Sequence, residues 1–197
     1  SLPELYAWIE RVMKANGFSY EVIFVNDGST DGSWKVIEEL SRKSEYVKGI
    51  KFRRNYGKSP ALYCGFEKAQ GDVVITMDAD LQDPPELIPL MVEAWRSGMD
   101  IVLMRRRSRN GEGALKRFCA YMFYRLLCRL SDVTIPKDVG DFRLMSRRAI
   151  DALGRLRERN RYMKGLFAWI GLPTKVISFD REPRAAGDSK WNFIGLM

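Results

Sequence analysis

Two short apolar runs, each followed at once by acidic residues, constrain the fold of this chain most. The first covers residues 20–26 and leads into Asp27, and the second covers residues 72–77 and leads into Asp78. A continuous apolar run bounded by turn residues is typical of a buried parallel strand. Similar runs alternate with segments of helical periodicity and cover residues 47–52, 100–104, 141–145 and 174–180. This alternation predicts an α/β domain with a mostly parallel sheet flanked by helices.

Polar clusters follow two of the predicted strands. Asn26-Asp27-Gly28-Ser29 follows the first run, and Asp78-Ala79-Asp80 follows the second. In open α/β sheets, ligands bind beyond the carboxyl ends of the strands. Either cluster alone is typical of an ordinary turn, but the two together predict a ligand-binding site at the carboxyl ends of the strands. The carboxylates at 78 and 80, with Gln82 close behind, offer oxygen ligands that suit a hard divalent cation.

The composition excludes several kinds of catalysis. The chain has no histidine, which excludes Ser-His-Asp and Cys-His nucleophile systems and zinc sites built on histidine. Its three cysteines show no CxxC spacing and are interpreted as small apolar residues in a reducing compartment. Any acid–base step must therefore depend on carboxylates.

The net charge of +8, from 33 Lys+Arg against 25 Asp+Glu, favours an anionic partner. Four arginines are concentrated in residues 105–109, and arginines can bind a phosphate through two parallel hydrogen bonds. We assign Arg106 and Arg107 to phosphate binding, whereas Arg109 is equally well an exposed charge. No nucleic-acid partner is expected, because nothing resembles an aromatic-rich platform or a recognition helix.

A helix is predicted over residues 114–130, with apolar side chains on one arc and arginines and tyrosines on the other. Aromatic residues interleaved with arginines suit a membrane surface. A helix packed on the core with an exposed basic face explains the pattern as well. No stretch reaches the roughly 20 apolar residues of a membrane-spanning helix, so this fragment itself is expected to be soluble.

Five segments, in order along nearly the whole chain, resemble the family-2 inverting glycosyltransferases with a GT-A fold. They comprise residues 25–33, 54–58, 78–86, 140–145 and 184–191. They are most similar to the polyprenyl-phosphate sugar synthases, a branch that includes dolichyl-phosphate mannose synthase and the bactoprenol glucosyltransferases. The resemblance implies a Rossmann-like GT-A fold. It also implies inverting transfer of a sugar from a UDP- or GDP-linked donor to an undecaprenyl- or dolichyl-type phosphate.

The resemblance also implies roles for the residues of the two strand-end clusters. Asp27, with Gly28 and Ser29, would contact the nucleoside of the donor. Asp80 and Gln82 would hold Mg²⁺ or Mn²⁺ against the diphosphate, with Asp78 near the metal or the ribose.

Three further residues belong to the later motifs of the resemblance. Arg184 and Lys190 would lie on a flexible loop that closes over the donor phosphates, with Ser189 between them. Asp141 would face the acceptor, either as a base or by orienting a sugar hydroxyl. A lipid phosphate oxygen is already ionised at neutral pH, so the acceptor needs no strong base. Catalysis would then consist of alignment and stabilisation of the leaving diphosphate, which explains the missing histidine.

The resemblance places limits on the domain. Members of the family begin with a strand that contacts the nucleotide, and this chain starts after it, so the first strand is expected to be missing. We interpret residues 1–197 as a single catalytic domain truncated at both ends, with membrane segments after residue 197. The expected location is the cytoplasmic face of a membrane, in bacteria the inner membrane, and a homo-oligomer is left open.

Three alternatives are weighed against this interpretation. A glycan could replace the lipid acceptor, although the chain lacks the Gln-x-x-Arg-Trp motif of processive members. Nucleotidyl transfer also uses a carboxylate pair at a strand end, but no glycine-rich basic loop occurs early in the chain. A non-catalytic basic membrane-binding module would make Asp78 and Asp80 dispensable.

Overall fold

The computed structural model describes residues 1–106, 139–155 and 169–179. The strands of these ranges are β1 (Val22–Asn26), β2 (Val47–Lys51), β3 (Val73–Thr76), β4 (Ile101–Arg106), β5 (Val139–Ser146) and β6 (Thr174–Phe179). The helices are α1 (Leu2–Ala15), α2 (Ser33–Lys43), α3 (Lys58–Lys68), α4 (Ile88–Arg96) and α5 (Arg147–Arg155), and a 3-10 turn covers Pro85–Leu87. The α/β class is confirmed, and each predicted strand in these ranges is present.

The strands form two sheets. Parallel strands β1 and β2 form one sheet, and the other has the order β3-β5-β4-β6. Strand β6 runs parallel to β4, whereas β5 runs antiparallel to both of its neighbours. Three of the four strands of this sheet therefore run in the same direction, and β5 is the exception to the expected parallel arrangement. An apolar run reports that a strand is buried but carries no information on the direction of its neighbours.

The core is built against β4 and β5. Val102 and Leu144 are fully buried beneath α4, which contributes Met91. On the opposite side, α5 packs Ala149 and Leu153 onto a second cluster that includes α3. A third cluster joins α1 and α2 to the two-stranded sheet. Burial of such side chains stabilises the fold by roughly 1.5–3 kcal/mol each, and it holds rigid the strand ends that carry the polar clusters.

Several predictions lie outside the described residues. These are most of the basic loop after β4, the helix at residues 114–130 and the loop at residues 184–191. Within the described ranges, no helix combines the length and apolar character needed to cross a bilayer.

Candidate functional site

The β3–β5 ladder brings two distant carboxylates to one place. Thr76 pairs with Arg143 in the antiparallel register, and this is the last pair of the ladder. Asp78 lies two residues beyond Thr76, and Asp141 lies two residues before Arg143, so both aspartates lie just past the end of the ladder. The hydroxyl of Thr76 also donates a hydrogen bond to the backbone oxygen of Asp141. The reversed direction of β5 thus places Asp141 beside the cluster that begins at Asp78.

A lysine ammonium group joins these two carboxylates. Lys58 Nζ lies 2.6 Å from Oδ1 of Asp78 and 2.7 Å from Oδ2 of Asp141. Lys58 is the first residue of α3 and follows Gly57, whose φ of 93° is readily adopted only by glycine. Burial lowers the pKa of Lys58, but the hydrogen bonds to Asp141 and Asp78 outweigh it and the net pKa is raised. The ammonium group is therefore a permanent cation between the two aspartates at neutral pH.

A second cation contacts Asp141 from inside the protein. Arg143 is only 3% exposed, and its Nη2 lies 3.2 Å from Oδ1 of Asp141. The same nitrogen donates a hydrogen bond of 2.7 Å to the backbone oxygen of Gly140. Burial lowers the pKa of Arg143 and the charge of Asp141 opposes that shift, with a net lowering. Arginine stays charged in proteins, so each carboxylate oxygen of Asp141 faces a cation.

The carboxylate of Asp27 holds the loop that leads to Lys58. Its Oδ1 accepts a hydrogen bond of 2.7 Å from the backbone N–H of Tyr56, and its Oδ2 accepts one of 2.9 Å from that of Gly57. Both bonds precede the start of α3, where negative charge is favourable because of the helix dipole. Asp27 thus lies on the same edge as Asp78 and Asp141 and is linked to them through Gly57 and Lys58.

Gly28 allows this loop to approach β1. Its φ is 70°, and a Cβ atom built on it would lie 2.4 Å from the carbonyl carbon of Arg54 and 2.4 Å from the nitrogen of Asn55. The turn is closed by Asn26, whose Oδ1 accepts a hydrogen bond of 3.0 Å from the backbone N–H of Ser29. Only glycine satisfies both the left-handed φ and this close approach.

The turn after β3 is held by its own side chains. Asp83 is 1% exposed, and its Oδ2 accepts a hydrogen bond of 3.1 Å from the backbone N–H of Asp78. Oδ1 of Asp80 accepts one of 3.1 Å from the N–H of Gln82, which is also buried. Leu81, which lies between Asp80 and Gln82, has a φ of 62° and packs against the third cluster, the one that includes α1. A left-handed leucine costs about 1–2 kcal/mol, so the tertiary packing imposes this turn.

The residues around Lys58 fit a divalent cation chemically. Asp78 and Asp141 supply the carboxylate oxygens that Mg²⁺ and Mn²⁺ prefer, and the Lys58 ammonium shows that positive charge is accommodated between them. Among the residues that the structure describes, no three acidic or cysteine side chains converge to hold a metal ion. The roles predicted for Asp80 and Gln82 as metal ligands stay predictions.

The other predicted residues fall into two groups. Ser29 is exposed at the β1 turn. Arg106 ends β4, but its side chain and the whole of Arg107, Arg184, Ser189 and Lys190 lie outside the described residues. Their predicted roles in phosphate binding and catalysis stay predictions.

No individual role was predicted for Lys58, Asp83 or Arg143, although all three lie in the segments 54–58, 78–86 and 140–145 that carry the family resemblance. Lys58 opens the helix that follows the second strand, so its place on the ligand edge was accessible from the strand-end rule. Arg143 lies two residues after Asp141 in β5, and because side chains alternate along a strand, both lie on the same face. This contact was therefore also accessible from the sequence once the strand was identified.

This chain is similar to known proteins over most of its length. The family model described as "Glycosyl transferase family 2" matches residues 2–154. A glycosyltransferase from Synechocystis sp. is 47% identical over 196 residues, which cover 100% of this chain and 62% of the relative. The bactoprenol glucosyl transferase of Shigella phage SfV is 42% identical over 192 residues, which cover 98% of this chain and 62% of that protein. The chain thus spans less than two thirds of the length of these relatives.

A solved structure shares the fold at low identity. The glucosyl-3-phosphoglycerate synthase of Mycobacterium tuberculosis, crystallised in complex with UDP, aligns with a TM-score of 0.51 at 18% identity. The alignment covers 96% of this chain and 70% of that one. At 18% identity, this similarity shows a shared fold and nothing further about function.

Proposed function

Because the chain belongs to glycosyl transferase family 2, we propose that it transfers a sugar from a UDP- or GDP-linked donor to a polyprenyl phosphate. Inversion at the anomeric carbon and dependence on Mg²⁺ or Mn²⁺ are parts of this proposal. The acceptor is suggested by the similarity to a bactoprenol glucosyl transferase over 98% of this chain. Since polyprenyl phosphates reside in membranes, the reaction would take place at a membrane surface.

One observation carries the proposal: Asp78, Asp141 and the Asp27-bound loop meet at one edge of the sheets around a cationic group. A nucleoside diphosphate leaves with negative charge, and a bound divalent cation would neutralise that charge. Asp78 and Asp141 would hold the cation, with Asp80 and Gln82 as the further predicted ligands.

The chain's own groups would do the remaining work by positioning. Asp27 fixes the loop before α3 and thereby shapes the donor side of the site. Asp141 is flanked by Lys58 and Arg143. Because two cations stabilise its ionised form, it is suited to orient a hydroxyl group of the sugar rather than to remove a proton. The phosphate of the acceptor is already ionised, so alignment behind the anomeric carbon is sufficient for displacement. A single in-line displacement inverts the anomeric centre.

The experiment that tests the proposal measures binding and transfer in the same preparation. Calorimetric titration with UDP-glucose, UDP-N-acetylglucosamine and GDP-mannose, with and without Mn²⁺, identifies the donor. Transfer of the radiolabelled sugar is then measured with undecaprenyl phosphate, dolichyl phosphate and a soluble glycan as acceptors. We expect metal-dependent formation of a polyprenyl-linked sugar, abolished by EDTA. Transfer to the glycan alone would refute the lipid acceptor, and absence of any donor binding would refute the enzyme.

A matched pair of variants distinguishes the effect of a site carboxylate on sugar transfer from the general effect of removing a negative charge. Asp78→Asn removes a carboxylate that contacts Lys58, and we expect transfer to fall at least about tenfold. Asp72→Asn alters an exposed aspartate before β3 and should leave transfer unchanged.

A further inference from the structure

We propose that Lys58 is a positioning residue that acts as a built-in counter-cation for Asp78 and Asp141. In the protein without donor or metal, its ammonium holds the two carboxylates together, and a divalent cation must displace it in order to bind them. The displaced ammonium then turns to the diphosphate of the donor. This inference rests on the proposed function, since it concerns the same site.

The geometry shows that Lys58 takes the position between the carboxylates. Its Nζ is within hydrogen-bond distance of one oxygen of Asp78 and one of Asp141. Charge-assisted bonds of 2.6 and 2.7 Å engage one oxygen of each carboxylate. A metal ion and the ammonium group cannot share that position, because both are cations and both need the same oxygens.

The charge balance favours a lysine between the two carboxylates when no metal is bound. Two carboxylates brought together by the β3–β5 ladder repel each other, and one of two neighbouring carboxylates otherwise tends to take up a proton. Among the described residues, Arg143 contacts Asp141 from the buried side, and Lys58 contacts both Asp78 and Asp141. The pair can therefore stay ionised, close together and ready for a metal ion.

The anchoring of Lys58 allows its ammonium group to move without unfolding the site. Its backbone begins α3, and the preceding residue, Gly57, is held by Asp27. Its side chain is 51% exposed, so part of the flexible four-carbon stem lies free of the core. The Cα position is thus fixed while the ammonium can exchange one set of oxygen partners for another.

The arrangement also explains why the carboxylates do not form a ready-made metal cluster within the described residues. Asp78 and Asp141 are turned towards Lys58, and Oδ1 of Asp80 is turned towards the N–H of Gln82. Release of the ammonium would leave two carboxylates with their charge only partly compensated, and such a pair attracts a divalent ion strongly.

The test measures Mn²⁺ binding to the donor-free protein by electron paramagnetic resonance, in wild type and in three variants. Lys58→Met keeps the length of the side chain but removes the competing cation, so we expect Mn²⁺ to bind about tenfold more tightly. Lys58→Arg keeps the charge and should retain the wild-type Mn²⁺ affinity. Lys48→Met serves as the matched control, since Lys48 makes a similar ion pair of 2.7 Å with Glu21 away from the site.

Steady-state kinetics of Lys58→Met provide a second readout. Loss of the ammonium from the donor side should raise KM for the nucleotide sugar about tenfold or more, although metal binding is tighter. A purely structural role for Lys58 would weaken both Mn²⁺ binding and catalysis in parallel. Opposite changes in the two quantities are therefore the signature of the counter-cation.

The wild-type protein offers a measurement that does not depend on the folding of a variant. With ¹³C-labelled lysine, the Cε signal of Lys58 should shift when Mg²⁺ is added, whereas the signal of Lys48 should not. An unshifted Lys58 signal at saturating Mg²⁺, or unchanged or weaker Mn²⁺ binding by folded Lys58→Met, overturns the inference. If wild type nevertheless transfers sugar in a metal-dependent way, the proposed function stands. Failure of wild type both to bind Mn²⁺ and to transfer sugar overturns both.

Discussion

Asp78 and Asp141 lie just past the last pair of the β3–β5 ladder, and the ammonium of Lys58 contacts both. The two aspartates are far apart in the chain, and they meet because β5 runs antiparallel between β3 and β4. The candidate site thus depends on a pairing in the sheet as much as on the acidic motif after β3.

Asp141→Asn tests whether this second carboxylate is needed for transfer. The amide keeps the shape of the side chain but loses the charge that pairs with Lys58 and Arg143. We expect kcat to fall by about 10²–10³-fold, with a smaller change in the affinity for the donor nucleotide. Steady-state kinetics and calorimetric titration with the nucleotide separate the two effects. An active Asp141→Asn protein with wild-type kcat would contradict the assignment.

Gly28→Ala should destabilise the protein strongly. The added Cβ would meet the backbone of Arg54 and Asn55 at 2.4 Å, and the φ of 70° disfavours any other residue. We expect the free energy of unfolding to fall by about 2–4 kcal/mol, measured by urea denaturation. Gly32→Ala is the matched control: Gly32 has a φ of −71° and nothing within 4 Å of the added atom. A similar loss in both variants would show that the close approach at Gly28 is unimportant.

Asp27→Asn should loosen the loop before α3. An amide has a single acceptor oxygen, so only one of the backbone N–H groups of Tyr56 and Gly57 keeps its partner. We expect a loss of about 1–3 kcal/mol in the free energy of unfolding, together with an increase in KM for the donor. Asp31→Asn is a suitable comparison, because Asp31 accepts an N–H bond from Ser33 at an exposed helix start, where asparagine serves equally well. Equal stability of both variants would refute the role of Asp27 in holding the loop.

Glu21 should make the stability of the protein depend on pH in the acidic range. Burial raises the pKa of Glu21, but hydrogen bonds from Lys48 and the backbone N–H of Gln70 outweigh it, so the net pKa is lowered. A carboxyl group with a lowered folded-state pKa stabilises the fold above its unfolded pKa, about 4.3. This stability is lost as the pH falls through the folded-state pKa.

The measurement for Glu21 is urea unfolding over a series of acidic pH values. We expect Glu21→Gln to be less stable than wild type by about 1–2 kcal/mol at neutral pH and to approach wild type as the pH falls below about 4. A constant difference across the series would show that the charge of Glu21 does not contribute.

Much of the architecture was accessible from local pattern. The runs that became β1 to β6 were each identified from their apolar character, with bounds that differ by one or two residues in most cases. A 3-10 turn at Pro85–Leu87 precedes α4, where proline is tolerated because its missing N–H would have no partner. These features depend on neighbours in the sequence, and local propensity is sufficient to predict them.

The amino-acid sequence alone specified the α/β class, the strand ends and the acidic motifs that follow them. Strand burial and turn formation depend on short stretches of consecutive residues. The direction and neighbours of β5, and with them the meeting of Asp141, Asp78 and Lys58, depended on the folded molecule. Strand pairing joins segments distant in sequence, and its energy is shared over cross-strand contacts that no local pattern encodes. The left-handed conformation of Leu81 also depends on tertiary structure, since packing against the third cluster, which includes α1, compensates its strain.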